Sequence, residues 1–170
     1  MRLGGVGIVR IVVLGGTGFV GRAVVADLEI QGHEVLVVHR GVREVEPVSI
    51  GPSARSEERP HSISRTIRDF QPDAFVDVPA GTLSEAEAVV HAITDDIRFI
   101  VLSSMDVYRA YGSLLAGKVT DALRLDETAP VRTERYIDRG KGPEFEEYEK
   151  LDVEEAYLAR GATVLRLPLI

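Results

Sequence analysis

The 170-residue chain has no cysteine. That absence excludes a disulfide scaffold, a thiol nucleophile and a cysteine-ligated metal centre, and no other metal site is expected. No run of 18 apolar residues occurs, so nothing reads as a membrane span. One arginine stands early in the chain, but no apolar segment with a small-residue cleavage site follows it, which argues against a signal peptide. Together these absences point to the cytoplasm. Basic residues are also in short supply. The chain carries 20 Lys and Arg against 27 Asp and Glu, a net charge of -7. Nucleic-acid binding calls for a concentrated basic surface, and none is visible, so no nucleic-acid partner is expected. The acids gather in residues 144–155 and read as a solvated helix face. Apolar residues make up 45% of the chain, and its length suits one domain with a core.

What is present alternates between strands and helices. VRIVVL, residues 9–14, is β-branched and apolar and ends in glycines, which predicts a buried strand. The spacing of Phe19, Val20, Ala23, Val24 and Leu28 predicts a helix over 19–31, with Gly32 closing it. EVLVV, 34–38, is the next strand, and the three elements form a right-handed βαβ unit. A short edge strand is expected near 45–50 and a polar loop over 51–61. A helix is expected over 63–71, a strand over 73–78, and a helix over 83–93 capped by Ser84 with Glu87 three residues on. A central strand covers 98–104, a long loop runs from about 109 to 142, a helix spans 144–160, and a last strand covers 163–168. This order predicts an α/β fold, a doubly wound and mostly parallel sheet in a three-layer α/β/α arrangement. The chain stops at LPLI directly after a core strand. We therefore expect one domain over 9–170, truncated at its C-terminal end, with an open sheet edge that favours a homo-oligomer.

GGTGFVG joins the first strand to the first helix and spaces Gly15, Gly18 and Gly21 as G-x-x-G-x-x-G. The first glycine suits a tight turn. The second lets a pyrophosphate approach the backbone, and the third lets the helix pack closely on the strand. The helix opens at Phe19 and Val20, where free N–H groups face the phosphates, and Thr17 adds a hydroxyl donor. This context predicts dinucleotide binding. After the second strand an NAD site usually has an acid that holds the ribose hydroxyls. His39 and Arg40 stand there instead. An arginine pairs with a 2′-phosphate, so NADP is favoured over NAD.

These stretches, with VLSSMDVYRAYG (101–112), LDETAPV (125–131) and YEKLDVEEAYLARGATVLRLP (148–168), resemble the extended and atypical short-chain dehydrogenase/reductase superfamily, the NAD-dependent epimerase/dehydratase family. HRG and SSMDVYRAYG look most like its atypical branch, which includes nucleotide-sugar-epimerase-like and chloroplast RNA-binding relatives. The resemblance implies a Rossmann-type domain, NAD or NADP as cofactor, and a nucleotide sugar or small carbonyl compound as substrate. It places Ser104 on the substrate oxygen, four residues before Tyr108. Ser103 and Ser104 end a central strand, where open α/β sheets bind ligands. Asp106 receives no role from the resemblance and reads as a turn cap, while Tyr111 stands close enough to enter the pocket.

The family's acid/base is a tyrosine four residues before a lysine on one helix. Lys150 fits the lysine, which in the family holds the nicotinamide ribose, but Glu146 stands where the tyrosine belongs. Tyr148 is only two residues from Lys150, and positions i and i+2 of a helix do not share a face. Three readings stay open. Glu146 replaces the tyrosine; or Tyr148 reaches the site because the helix starts later or is distorted; or the fold binds without turnover, as a regulatory protein. The family's C-terminal substrate domain, its tyrosine-glycine-proline segment and its acid near the adenine are missing from this sequence.

Overall fold

The computed structural model describes residues 7–38, 59–93, 97–121 and 124–168. Five strands, β1 (Arg10–Leu14), β2 (Glu34–Val38), β3 (Ala74–Asp77), β4 (Arg98–Ser104) and β5 (Thr163–Leu167), form one parallel sheet in the order β2-β1-β3-β4-β5. The register pairs Leu14 with Val38 and Asp77, Asp77 with Val101, and Ser104 with Leu167. Leu14, Val38 and Asp77 thus end level, while β4 and β5 run three residues further in the same direction, to Ser104 and Leu167. The chain leaves β1 in one direction for β2 and returns past it to β3. The crevice beyond β1 and β3 is therefore a topological switch point, where sheets of this type bind ligands.

Helices cover both faces. Helix α1 (Phe19–Ile30) lays Val24, Val25 and Leu28 against Ile11, Val13, Ala74 and Val76. Helices α2 (Arg59–Phe70), α3 (Leu83–Ala92) and α5 (Lys150–Leu158) bury the other face against Val12, Leu14, Phe75, Phe99 and Val101. Period-two alternation along β1 produces the split, because neighbouring side chains point to opposite faces. Phe75, Phe99 and Tyr157 form an aromatic ladder in the second layer, with ring centroids 6.1 and 5.8 Å apart. The architecture is the expected three-layer α/β/α fold of Rossmann type. No helix among the described residues is long and apolar enough to cross a membrane.

Several local expectations are corrected. Helix α2 begins at Arg59, inside the stretch read as loop; Pro60 falls in its first turn, where a missing N–H costs nothing. The cap of α3 is Thr82 rather than Ser84, and its hydroxyl accepts the Glu85 N–H at 3.2 Å. The stretch read as a long loop contains a helix, α4 (Arg109–Leu115), with Gly112 in its middle. Phe19, expected on the core stripe of α1, is 75% exposed. The helix expected over 144–160 is broken: a 3-10 turn covers Pro143–Phe145 and α5 starts only at Lys150. The edge strand expected near 45–50 and the polar loop over 51–58 lie outside the described residues.

Close packing at the β1–α1 turn leaves no room for a methyl group at Gly21, whose Cβ would sit 2.1 Å from the Gly15 carbonyl oxygen. Gly21→Ala should therefore lower stability by about 1–3 kcal/mol, the usual cost of overpacking, as read from urea unfolding midpoints. An unchanged midpoint would contradict this packing.

Candidate functional site

The glycine turn ends β1 at the sheet's carboxyl edge. Gly15 has φ +80, and a Cβ there would meet Pro79 Cδ at 2.7 Å, so both conformation and space demand glycine. Gly18 donates its N–H to the Gly15 carbonyl at 3.0 Å and caps α1 without a side chain. The first helical hydrogen bond runs from Arg22 N–H to Gly18 O. The N–H groups of Phe19, Val20 and Gly21 therefore start the helix without a helical acceptor. A Cβ on Gly18 would touch only the Gly15 oxygen, at 3.4 Å, so bulk there projects into open space. Gly16, not singled out from the sequence, is buried, and its Cβ would come within 2.8 Å of Val37 Cγ1 and 3.0 Å of Val25 Cγ2. It supplies the close contact of α1 with β2. Thr17 is half-buried beside the turn. His39 and Arg40 lie outside the described residues.

The second half of the site gathers at the end of β4. The Ser104 hydroxyl accepts the Asp106 N–H at 3.3 Å and caps a 3-10 turn over Met105–Val107. Tyr148 reaches this turn from the other side, and its hydroxyl donates to Asp106 Oδ2 at 2.8 Å. Tyr148 also packs on the loop after β3, where a Cβ on Gly81 would stand 3.2 Å from its ring. Burial, then the Asp106 charge and the hydrogen bond to it, push the Tyr148 phenol well above its ordinary pKa; the Ser104 hydroxyl works in the opposite sense. Burial also raises Asp106, against the pull of Tyr148, Arg132 and Lys150.

Tyr148 arrives there because of its neighbour. Glu149 has an extended backbone, φ -156 and ψ 99, and is fully buried. Its carboxylate accepts Arg132 Nη1 at 2.9 Å and Nη2 at 2.5 Å, the Tyr136 N–H at 2.5 Å and the Leu151 N–H at 3.0 Å. Its own N–H donates to the Gly81 carbonyl at 2.9 Å. These bonds stop the helix one residue before Lys150 and turn Tyr148 into the cluster. The geometric objection to Tyr148, that i and i+2 face apart, applied to a continuous helix and falls with it. Arg132 was also missed in the sequence; it is 5% exposed, and its Nε donates to the Asp106 carbonyl at 3.0 Å.

Lys150 opens α5 and is 8% exposed. Its ammonium donates to the carbonyls of Ala80 and, at 3.2 Å, Leu102, tying the loop after β3 to β4. Burial lowers its pKa against the opposing charges of Asp77, Asp106, Glu85 and Glu154. Glu146 is exposed and accepts the Gly140 N–H at 3.0 Å; its contacts are with a surface turn and not with the Ser104–Tyr148 cluster. Tyr111 lines a separate, mostly apolar cavity of about 150 Å³ with Met105, Ala110, Leu114, Val119 and Leu125.

Residues 11–97, just over half of the chain, match the model of the NAD dependent epimerase/dehydratase family. A curated relative, the 2'-dehydrokanamycin reductase of Streptomyces kanamyceticus, is 29% identical over 131 residues, covering 76% of this chain and 35% of the reductase. Among solved structures, a UDP-glucose-4-epimerase from Stenotrophomonas maltophila with bound NAD and formylated UDP-arabinopyranose aligns with a TM-score of 0.68 at 20% identity, over 93% of this chain and 52% of that one. The Thermus thermophilus UDP-glucose 4-epimerase complex with NAD aligns with a TM-score of 0.62 at 20% identity, over 92% and 54%. The chain thus spans about a third of the reductase and about half of each epimerase.

The buried pair allows a sharp test. Removing one partner of such a pair costs about 3–5 kcal/mol because the other charge stays buried and unpaired. Glu149→Gln should lose stability on that scale in urea at pH 7, whereas Glu146→Gln should leave the midpoint unchanged. Although burial opposes it, Arg132 and the two N–H groups hold Glu149 below its ordinary pKa. The ionised form is favoured in the fold, so its contribution is present above the unfolded pKa, about 4.3, and is lost as pH falls through the lower folded value. The gap between wild type and Glu149→Gln should therefore close on acidification below about pH 4; a gap independent of pH would contradict the assignment.

Proposed function

This chain belongs to the NAD dependent epimerase/dehydratase family, and from that premise we propose that it binds a nicotinamide dinucleotide and acts on a hydroxyl or carbonyl carbon of a nucleotide sugar or small carbonyl compound. The turn fits the cofactor. The open space beside Gly18, the uncapped start of α1 and the lack of any acid in its first turn suit a pyrophosphate held by N–H groups. Gly15 and Gly18 line the approach, Thr17 offers a hydroxyl, and Phe19, Val20 and Gly21 offer backbone donors. When bound, the nicotinamide supplies or accepts a hydride at its C4. In this reading Ser104 hydrogen-bonds the substrate oxygen and Tyr148 exchanges a proton with it. Lys150 acts as a positioning residue, fixing the loop that carries Gly81 against Tyr148. The observation that supports the reading most is the hydrogen bond of Tyr148 to Asp106 on the 3-10 turn that Ser104 caps at the carboxyl end of β4.

Cofactor choice rests on sequence. Arg40 after the second strand supports NADP over NAD, since a charge-assisted contact is worth roughly 1.5–3 kcal/mol, about ten- to hundredfold in affinity. The alternative is a dinucleotide-binding protein without turnover. The engagement of the Lys150 ammonium by two main-chain carbonyls favours it, because only one of its three N–H groups is left for the role the family pattern implies.

Titration with NADH and NADPH, followed by calorimetry, tests the proposal. Binding should be lost in Gly18→Leu without loss of the folded state, because the added side chain fills ligand space rather than the core. NADPH should bind more tightly than NADH, and Arg40→Ala should erase most of the difference. Absence of heat with either nucleotide at millimolar concentration would overturn the binding reading. Binding without hydride transfer, monitored at 340 nm with UDP-glucose and simple carbonyls, would leave the non-catalytic alternative.

A further inference from the structure

Three features around the 3-10 turn at the end of β4 go beyond the family pattern. Asp106 is 6% exposed, yet its Oδ1 has no hydrogen-bond partner among the described residues. Buried polar atoms are nearly always paired, so an orphaned carboxylate oxygen calls for an explanation. Its other oxygen holds the Tyr148 proton, O to O at 2.8 Å. And the ammonium of Lys150 gives two of its three N–H groups to Ala80 O and Leu102 O and makes no hydrogen bond to Tyr148.

We infer that Asp106, and not Lys150, governs the proton of Tyr148, so that the pair works as a two-step relay in which the phenol stays neutral and the carboxylate gains or loses the proton. The inference rests on the proposed redox function for its chemical use, though not for its test. In the oxidative direction the substrate O–H bond breaks as a new O–H bond forms on the Tyr148 oxygen. The original Tyr148 O–H bond breaks, and its proton passes to Asp106 Oδ2. The C–H electron pair leaves the substrate carbon as hydride for an oxidised nicotinamide dinucleotide, and a carbonyl remains. One alcohol, one oxidised cofactor and one carboxylate become one carbonyl, one reduced cofactor and one carboxylic acid. Reduction runs the same steps backwards. A tyrosinate is never formed, in keeping with the upward displacement of the phenol's pKa beside a negative charge.

The surroundings are suited to a carboxyl that changes protonation state. Burial favours its neutral form. Arg132 from the segment after α4, Lys150 from α5 and the Tyr148 hydroxyl favour the ionised form, and Asp138 opposes them. Ser104 faces the phenol, and the backbone N–H of Asp106 is held by Ser104 Oγ at 3.3 Å. The Arg132 guanidinium grips the Asp106 carbonyl and not its carboxylate, so the acid is fixed in place without being locked in its charged state.

Two titrations of the cofactor-free chain decide the matter. In the first, ionisation of Tyr148 is followed at 295 nm as the difference between wild type and Tyr148→Phe. No ionisation is expected up to pH 11, and Asp106→Asn should bring the phenol's midpoint down by about one pH unit or more, since it removes the neighbouring charge. In the second, the carboxyl carbon of Asp106, assigned by its loss in Asp106→Asn, is titrated by NMR. Its midpoint should lie above the usual aspartate value of about 3.9 and climb further in Tyr148→Phe, which loses the donor. A Tyr148 midpoint near the ordinary value of about 10, or one that Asp106→Asn leaves in place, would overturn the inference, as would an Asp106 midpoint indifferent to Tyr148→Phe. Calorimetry of the wild-type chain with NADH keeps this separate from the cofactor reading: failure to bind NADH counts against the proposed function, while the two titrations still judge the pair.

Discussion

The site hangs on one buried carboxylate. Glu149 is withdrawn from water and answered by a bidentate arginine and two backbone N–H groups. A charge so placed is costly unless every partner is present, so its geometry is narrowly defined. That geometry demands an extended backbone at residue 149, which ends any helix approaching from the N-terminal side. Tyr148 is thereby released from the helical register and directed to Asp106 and Ser104. The same Arg132 reaches the Asp106 carbonyl, so one side chain ties together both halves of the cluster.

The loop after β3 carries this order across the sheet. Pro79 packs where Gly15 would bear a side chain, Ala80 is held by Lys150, and Gly81 takes both the Tyr148 ring and the Glu149 N–H. Asp77 steadies the loop from within, accepting the Ala80 N–H at 3.1 Å and the Tyr157 hydroxyl. Three consecutive residues, Pro79 to Gly81, thus link the glycine turn of β1 to Lys150, Tyr148 and Glu149. Ser103, whose hydroxyl donates to Glu154 at 2.6 Å, and Arg166, which pairs with Glu154 at 2.8 Å, anchor β4 and β5 to α5.

Much of this was legible in the amino-acid order. Strand runs such as RIVVL and EVLVV and the glycine turn after β1 announce a parallel α/β sheet through local chemistry alone. Ser104 at a strand's carboxyl end follows from the same reasoning. What escaped was set by long-range polar contacts. The run from Glu144 to Glu155 has helix-forming composition, and nothing within it signals that Glu149 will bind an arginine 17 residues earlier. Asp106 looked like a turn cap because the sequence cannot show that a tyrosine 42 residues away will hydrogen-bond it. Gly16 drew no notice because its need for bare backbone comes from Val37 and Val25, which are adjacent only in the folded chain. Helix α4 was hidden by Gly112, a poor helix former in isolation.

Where α5 begins therefore decides whether Tyr148 reaches the end of β4, and backbone carbon chemical shifts over residues 143–160 measure that directly. The structure predicts a 3-10 turn at 143–145, extended shifts at Glu149 and helical shifts only from Lys150 onward, with magnetisation transfer between the Tyr148 ring and Gly81. Uninterrupted helical shifts from Glu144 to Leu158 would place Tyr148 on a face away from Lys150, and would contradict the claim that a broken helix brings the tyrosine to Ser104.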